Sequence, residues 1–91
     1  MADLSEYRKR IDAIDDQIVR LIEDRMAVSK DIAEYKAGLG ADVLDSSREA
    51  EKLSDVVSKV QSESDKKAVR GIFTQILKES REYQHEIINN L

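Results

Sequence analysis

Residues 5–36 contain neither glycine nor proline. Apolar side chains recur there at Tyr7, Ile11, Ile14, Ile18 and Leu21, preceded by Leu4, and again at Val28, Ile32 and Tyr35. Ile22 and Met26 widen the row. Steps of three and four residues keep these positions on one face of an α-helix, the stripe that packs against a partner helix. Asp3 and Glu6 near the start and Lys36 at the end suit the helix dipole. A helix of about 30 residues is ~45 Å long, whereas a globule of 91 residues is only ~25 Å across. Such a helix protrudes from its own chain, and its apolar stripe needs a second chain to cover it.

The rest of the chain supplies two more helices. Gly38 and Gly40 fall where the first pattern fails. Gly38 is the expected C-cap, and residues 38–42 form the only substantial loop. Ser46 with Glu49 three residues later makes a capping box, with Asp45 just ahead as an alternative cap. A second helix then runs to about residue 60 with Leu53, Val56, Val57 and Val60 on its apolar face, and residues 61–65 are polar and turn-forming. A third helix spans about 65–89 through Val69, Ile72, Phe73, Ile76, Leu77, Tyr83, Ile87 and Ile88. Gly71, isolated inside it, loses ~1 kcal/mol relative to alanine and is expected to mark a close helix contact. Residues 1–91 therefore read as a single all-α domain of three helices, long, short and medium-long.

Composition removes other classes. With no cysteine there is no disulfide framework and no thiolate zinc site. No run of ~18 apolar residues offers a membrane span, and no charged-then-apolar leader opens the sequence, so the expected location is cytoplasmic. Fifteen Lys and Arg against nineteen Asp and Glu, a net charge of −4, argue against a nucleic-acid-binding surface. A core this small also favours oligomerisation.

The informative residues break the apolar rule. The rhythm of the first helix runs through position 25, which is arginine. A desolvated cation needs an anion, and the ordinary one is an interhelical carboxylate. Lys36, 11 residues on, projects within ~20° of Arg25 around the axis. In the third helix Ser80 and Gln84, one turn apart, prolong the line of Val69, Phe73 and Ile76. Two cations on one inward face and an amide on another build a polar pocket inside a bundle. Taken singly, Ser80 reads as a hydroxyl bonded to its own backbone and Gln84 as part of a solvated face.

Arg8 precedes Arg25 by 17 residues, ~25 Å along the helix and ~100° around it. The two cannot grip one small molecule within a chain. Arg8 is either a surface charge or a contribution to a partner's pocket from a helix packed antiparallel. The second helix opens with Asp45, Ser46, Ser47, Arg48 and Glu49, where free N–H groups can hold an anion or a hydroxyl. These charges equally suit an ordinary first turn. His85, the only histidine, sits at a solvent-facing helix end without the companions of a metal site. No glycine-rich phosphate loop or nucleophile–base pair is evident, so neither metal nor cofactor is expected.

Taken together, five segments resemble the all-helical chorismate mutases, including those fused to prephenate dehydratases. They are Tyr7-Arg8-Lys9-Arg10-Ile11-Asp12-Ala13-Ile14-Asp15, Leu21-Ile22-Glu23-Asp24-Arg25-Met26, Ile32-Ala33-Glu34-Tyr35-Lys36, Val43-Leu44-Asp45-Ser46-Ser47-Arg48-Glu49, and the stretch from Phe73 to Gln84. The resemblance spans essentially the whole chain. It implies an intertwined homodimer with two shared active sites, converting chorismate to prephenate by a Claisen rearrangement in phenylalanine and tyrosine biosynthesis. It also implies roles. Arg8 from one chain and Arg25 from the other clamp the substrate carboxylates, while Lys36 and Gln84 meet the ether oxygen. Asp45 acts through its backbone N–H, Glu49 takes the ring hydroxyl, and Arg48 and Ser80 complete the pocket. The chemistry agrees with the residues, because a pericyclic step needs no acid–base pair, nucleophile or metal. It needs a dianion held in a compact shape and donors where charge develops. Two other readings stay open: an isochorismate pyruvate lyase of the same fold, and a non-catalytic helical dimerisation module.

Overall fold

The structure, a computed structural model, describes residues 3–91. Met1 and Ala2 of the expected 1–91 domain lie outside the described residues. Three α-helices follow one another, α1 (Leu4–Leu39), α2 (Ser46–Ser58) and α3 (Lys66–Asn89), with one 3₁₀ turn at Glu63–Asp65 before α3. The described residues contain no strand. None of these helices is long and apolar enough to cross a membrane.

Helix α1 begins at Asp3, whose carboxylate accepts from the Glu6 amide at 3.0 Å. It runs past the expected cap. Gly38 lies inside the helix, and Gly40 (φ 64°) takes the left-handed position instead. The Gly40 N–H bonds to the Ala37 carbonyl and the Ala41 N–H to the Lys36 carbonyl, which closes a Schellman motif. Two glycines were available, and the helix uses the one that leaves Leu39 helical.

Helix α2 is capped by Asp45, whose carboxylate accepts from the Arg48 amide at 3.0 Å. Ser46 is the first helical residue, so the Ser46–Glu49 capping box does not form. The consequence reaches the site, because Glu49 is released from capping. α2 ends at Ser58, two residues earlier than the apolar pattern implies.

Helix α3 is the common partner, packing along α1 and against α2. Ile22 and Ile72 face one hollow, and Ser29 meets Ser80, so sequence position rises together and α1 runs parallel to α3. The close contact expected at Gly71 is absent. A Cβ there meets nothing within 4 Å. Gly71→Ala is therefore expected to stabilise the protein by about 0.5–1 kcal/mol through the unfolded chain, read as a higher denaturant midpoint. A lower midpoint would mean that a second copy's backbone sits against Gly71.

All residues from Asp3 to Asp24 are exposed. The stripe of α1 lies bare, with Ile11 56% and Leu21 67% exposed, and among the described residues only Ala33 and Val43 form a buried apolar core. The molecule is 57 Å long, essentially the ~54 Å of its first helix. Its radius of gyration of 16.5 Å exceeds the ~12 Å of a compact chain of this length. Its accessible surface of 7242 Å² likewise exceeds the ~5,400 Å² of a folded monomer of 10.4 kDa.

Candidate functional site

Where the upper half of α1, the following loop, α2 and α3 converge, they enclose a half-open cavity of about 330 Å³. That volume lies in the range of small-molecule sites, ~300–1,000 Å³. Each wall is a helix face. α1 contributes Arg25, Ser29, Ile32 and Lys36, in steps of four, three and four. The loop and α2 contribute Val43, Asp45, Arg48, Glu49 and Lys52, while α3 contributes Leu77, Ser80, Arg81 and Gln84. Seven of the eight residues singled out from the sequence thus surround one space. Arg8 is not among them and lies exposed on the bare part of α1.

The cavity is cationic in a chain that is acidic overall. Five cations (Arg25, Lys36, Arg48, Lys52 and Arg81) face it against two carboxylates, Asp45 and Glu49. Both carboxylates are engaged. Asp45 caps α2, and Glu49 is paired with Arg81 across α2 and α3. Lys52 leans toward Asp55 at 3.8 Å. Among the described residues no carboxylate lies within salt-bridge reach of Arg25, Lys36 or Arg48. The carboxylate that would be the ordinary partner of Arg25 is therefore not supplied by the described residues. Lys36 is anchored otherwise, donating through Nζ to the Val43 carbonyl at 2.9 Å. That bond fixes the ammonium at the cavity wall without neutralising it. Outside the cavity walls, the Asp55 carboxyl is held below its ordinary range, mainly by the hydrogen bond from Lys59.

Three polar side chains are buried in the walls: Ser29 at 3%, Ser80 at 7% and Gln84 at 8% exposure. Ser80 does not bond its own helix. Its Oγ lies 2.9 Å from the Ser29 Oγ, and Gln84 donates to it through Nε2 over a long 3.4 Å. Gln84 is likewise not on a solvated face. Its Oε1 is buried with no hydrogen-bond partner, an omission worth about 1–3 kcal/mol. An amide so placed is an unfinished network, ready for a ligand that completes it.

The sequence reading missed Ser29, Lys52 and Arg81 as wall residues. Ser29 carried a signal, since it falls on the same row as Arg25, Ile32 and Lys36. Arg81 follows Ser80 directly and carried none, because its partner Glu49 is 32 residues away.

Comparison with known proteins gives two findings. The family model described as chorismate mutase type II matches residues 7–85. A chorismate mutase of Methanocaldococcus jannaschii is 48% identical over 46 residues, 50% of this chain and 46% of that protein. The aligned stretch is thus less than half of that relative's own length.

Proposed function

The chain belongs to the type II chorismate mutase family, and from that premise we propose that it is an isomerase converting chorismate to prephenate, with two active sites shared across a homodimer. The observation that carries the proposal is the cavity, where Arg25, Lys36 and Arg48 stand without carboxylate partners among the described residues, beside a buried, half-satisfied amide at Gln84. A dimerisation module has no use for three unpaired cations around a hollow. A dianion supplies the missing charge.

The rearrangement breaks the ether C–O bond of chorismate as a new C–C bond forms, and no proton is transferred. The protein's work is then to hold the substrate folded and to stabilise the charge that develops on the ether oxygen. Arg25 grips one carboxylate through charge-assisted hydrogen bonds. Lys36 and Gln84 donate to the ether oxygen, Lys36 already held in place by the Val43 carbonyl. Glu49, oriented by Arg81, accepts from the ring hydroxyl. The backbone N–H of Asp45 and the side chains of Ser80 and Arg48 complete the enclosure, Arg48 at its exposed rim.

Half of the clamp comes from elsewhere. The chain exposes about 1,800 Å² more than a compact monomer of its mass would, an area on the scale of an obligate dimer interface per chain. An antiparallel crossing of two α1 helices centred near Ile18 and Val19 buries the stripe. It also sets Arg8 of each chain at the level of residues 28 and 29 of the other, where the exposed Val28 marks the cavity mouth. The apolar hollow between α1 and α3, lined by Ile22, Met26, Ile72 and Ile76, lies next to that crossing.

Incubation of the pure protein with chorismate is expected to consume it and yield prephenate. A folded protein with no turnover above background would sink the reading. Isochorismate serves as the second substrate, and release of salicylate and pyruvate faster than loss of chorismate would reassign the pocket to a lyase.

A further inference from the structure

We infer that Ser29 is a positioning residue for the reaction, acting through Ser80 to aim the amide of Gln84; the inference rests on the mutase reading of the cavity. Ser29 lies deepest of the three buried polar side chains and contacts Ser80 from across the α1–α3 interface.

The reason is in the behaviour of hydroxyls on helices. Within a helix a serine or threonine hydroxyl can bond to the carbonyl three or four residues back. Thr74, on the same helix α3, does so, with Oγ1 donating to the Arg70 carbonyl at 2.7 Å. Ser80 instead faces the Ser29 Oγ at 2.9 Å. Ser29 thus draws the Ser80 hydroxyl off its own backbone and holds it where Gln84 can reach it.

The chain of three groups can be polarised in two directions. In one, the Gln84 Nε2 donates to the Ser80 Oγ, which leaves Oε1 buried and unpartnered, as observed. In the other, Ser29 donates to Ser80 and Ser80 donates to the Gln84 Oε1. A half-turn of the amide exchanges its two ends at no change of shape. The orphan acceptor is then satisfied, and both N–H groups of Nε2 are free for an oxygen outside the chain. A substrate ether oxygen on which charge develops favours that second polarity. Ser29 sustains it, because a Ser80 hydroxyl that is itself accepting a bond donates more strongly to the next group. Without Ser29, the Ser80 proton has its own helix carbonyl as a competing acceptor.

Ser29→Ala tests this, since alanine suits a helix interior and fits the space. The expected result is a kcat lower by about fivefold to tenfold, a fraction of the ~10²–10³ for losing a donor outright, with KM within about twofold. In a Gln84→Ala background the same substitution is expected to leave kcat unaltered. The side-chain amide resonances of Gln84, identified by their loss in Gln84→Ala, are expected to shift in Ser29→Ala. An unchanged kcat, an equal loss in both backgrounds, or unmoved amide resonances would each overturn the inference. Wild-type turnover is measured alongside. An inactive wild-type protein counts against the mutase reading alone, and the amide resonances then still decide the hydroxyl chain.

Discussion

Chains carrying Arg8→Ala and chains carrying Arg25→Ala, each nearly inactive alone, are expected to recover about a quarter of wild-type turnover when refolded together in equal amounts. The two arginines lie ~25 Å apart along one helix, so neither can serve the other's cavity within a chain. In a twofold dimer each site takes Arg25 from one chain and Arg8 from the other. Random assembly makes about half of the dimers mixed, and each mixed dimer has one site with both arginines and one with neither. The parents should fall by about 10²–10³, the scale for truncating one partner of a desolvated charge pair. Local structure leaves Arg8 available for this task. It is Arg10, not Arg8, that lies over the Tyr7 ring, 5.9 Å from its centroid. If dimers shown to be mixed remain as inactive as their parents, the shared site is rejected and Arg8 is a surface charge.

The features that the sequence made legible are those written in one helix. A three–four rhythm over more than 30 residues identifies α1 whatever it packs against, and a cation interrupting that rhythm is visible at Arg25 without any partner being known. Lys36 follows by counting turns. What could not be read depends on contacts between elements. Ser80 looks self-bonded until Ser29, 51 residues away, is placed against it. Glu49 looks like half of a capping box until Asp45 takes the cap and Arg81 takes the carboxylate. Glycine misleads in a similar way. Gly38 and Gly40 are equally able to end a helix, and Gly71 declares the loss of helix propensity without saying what, if anything, approaches it. The roles within the cavity came through the family resemblance, since position alone leaves a cation on a stripe open to either a carboxylate or a ligand.

Arg25→Met separates those two possibilities, because it sets stability against activity. In the single chain Arg25 is half-buried, and no carboxylate lies within salt-bridge reach among the described residues. A partly desolvated cation without a partner destabilises the fold, and a methionine of similar length fills the same seam without that penalty. The substituted protein is therefore expected to be as stable as the wild type or more so, with an unfolding free energy equal to or up to about 1 kcal/mol above it. Its kcat/KM for chorismate is expected to drop by about 10²–10³, because a charge-assisted grip on a substrate carboxylate is lost. The combination is diagnostic. A structural ion pair, formed with a carboxylate of a second copy, would give the reverse pattern: a loss of about 3–5 kcal/mol from the orphaned charge. If Arg25→Met keeps wild-type turnover of chorismate, Arg25 does not grip the substrate, and the carboxylate clamp assigned to it and to Arg8 is rejected.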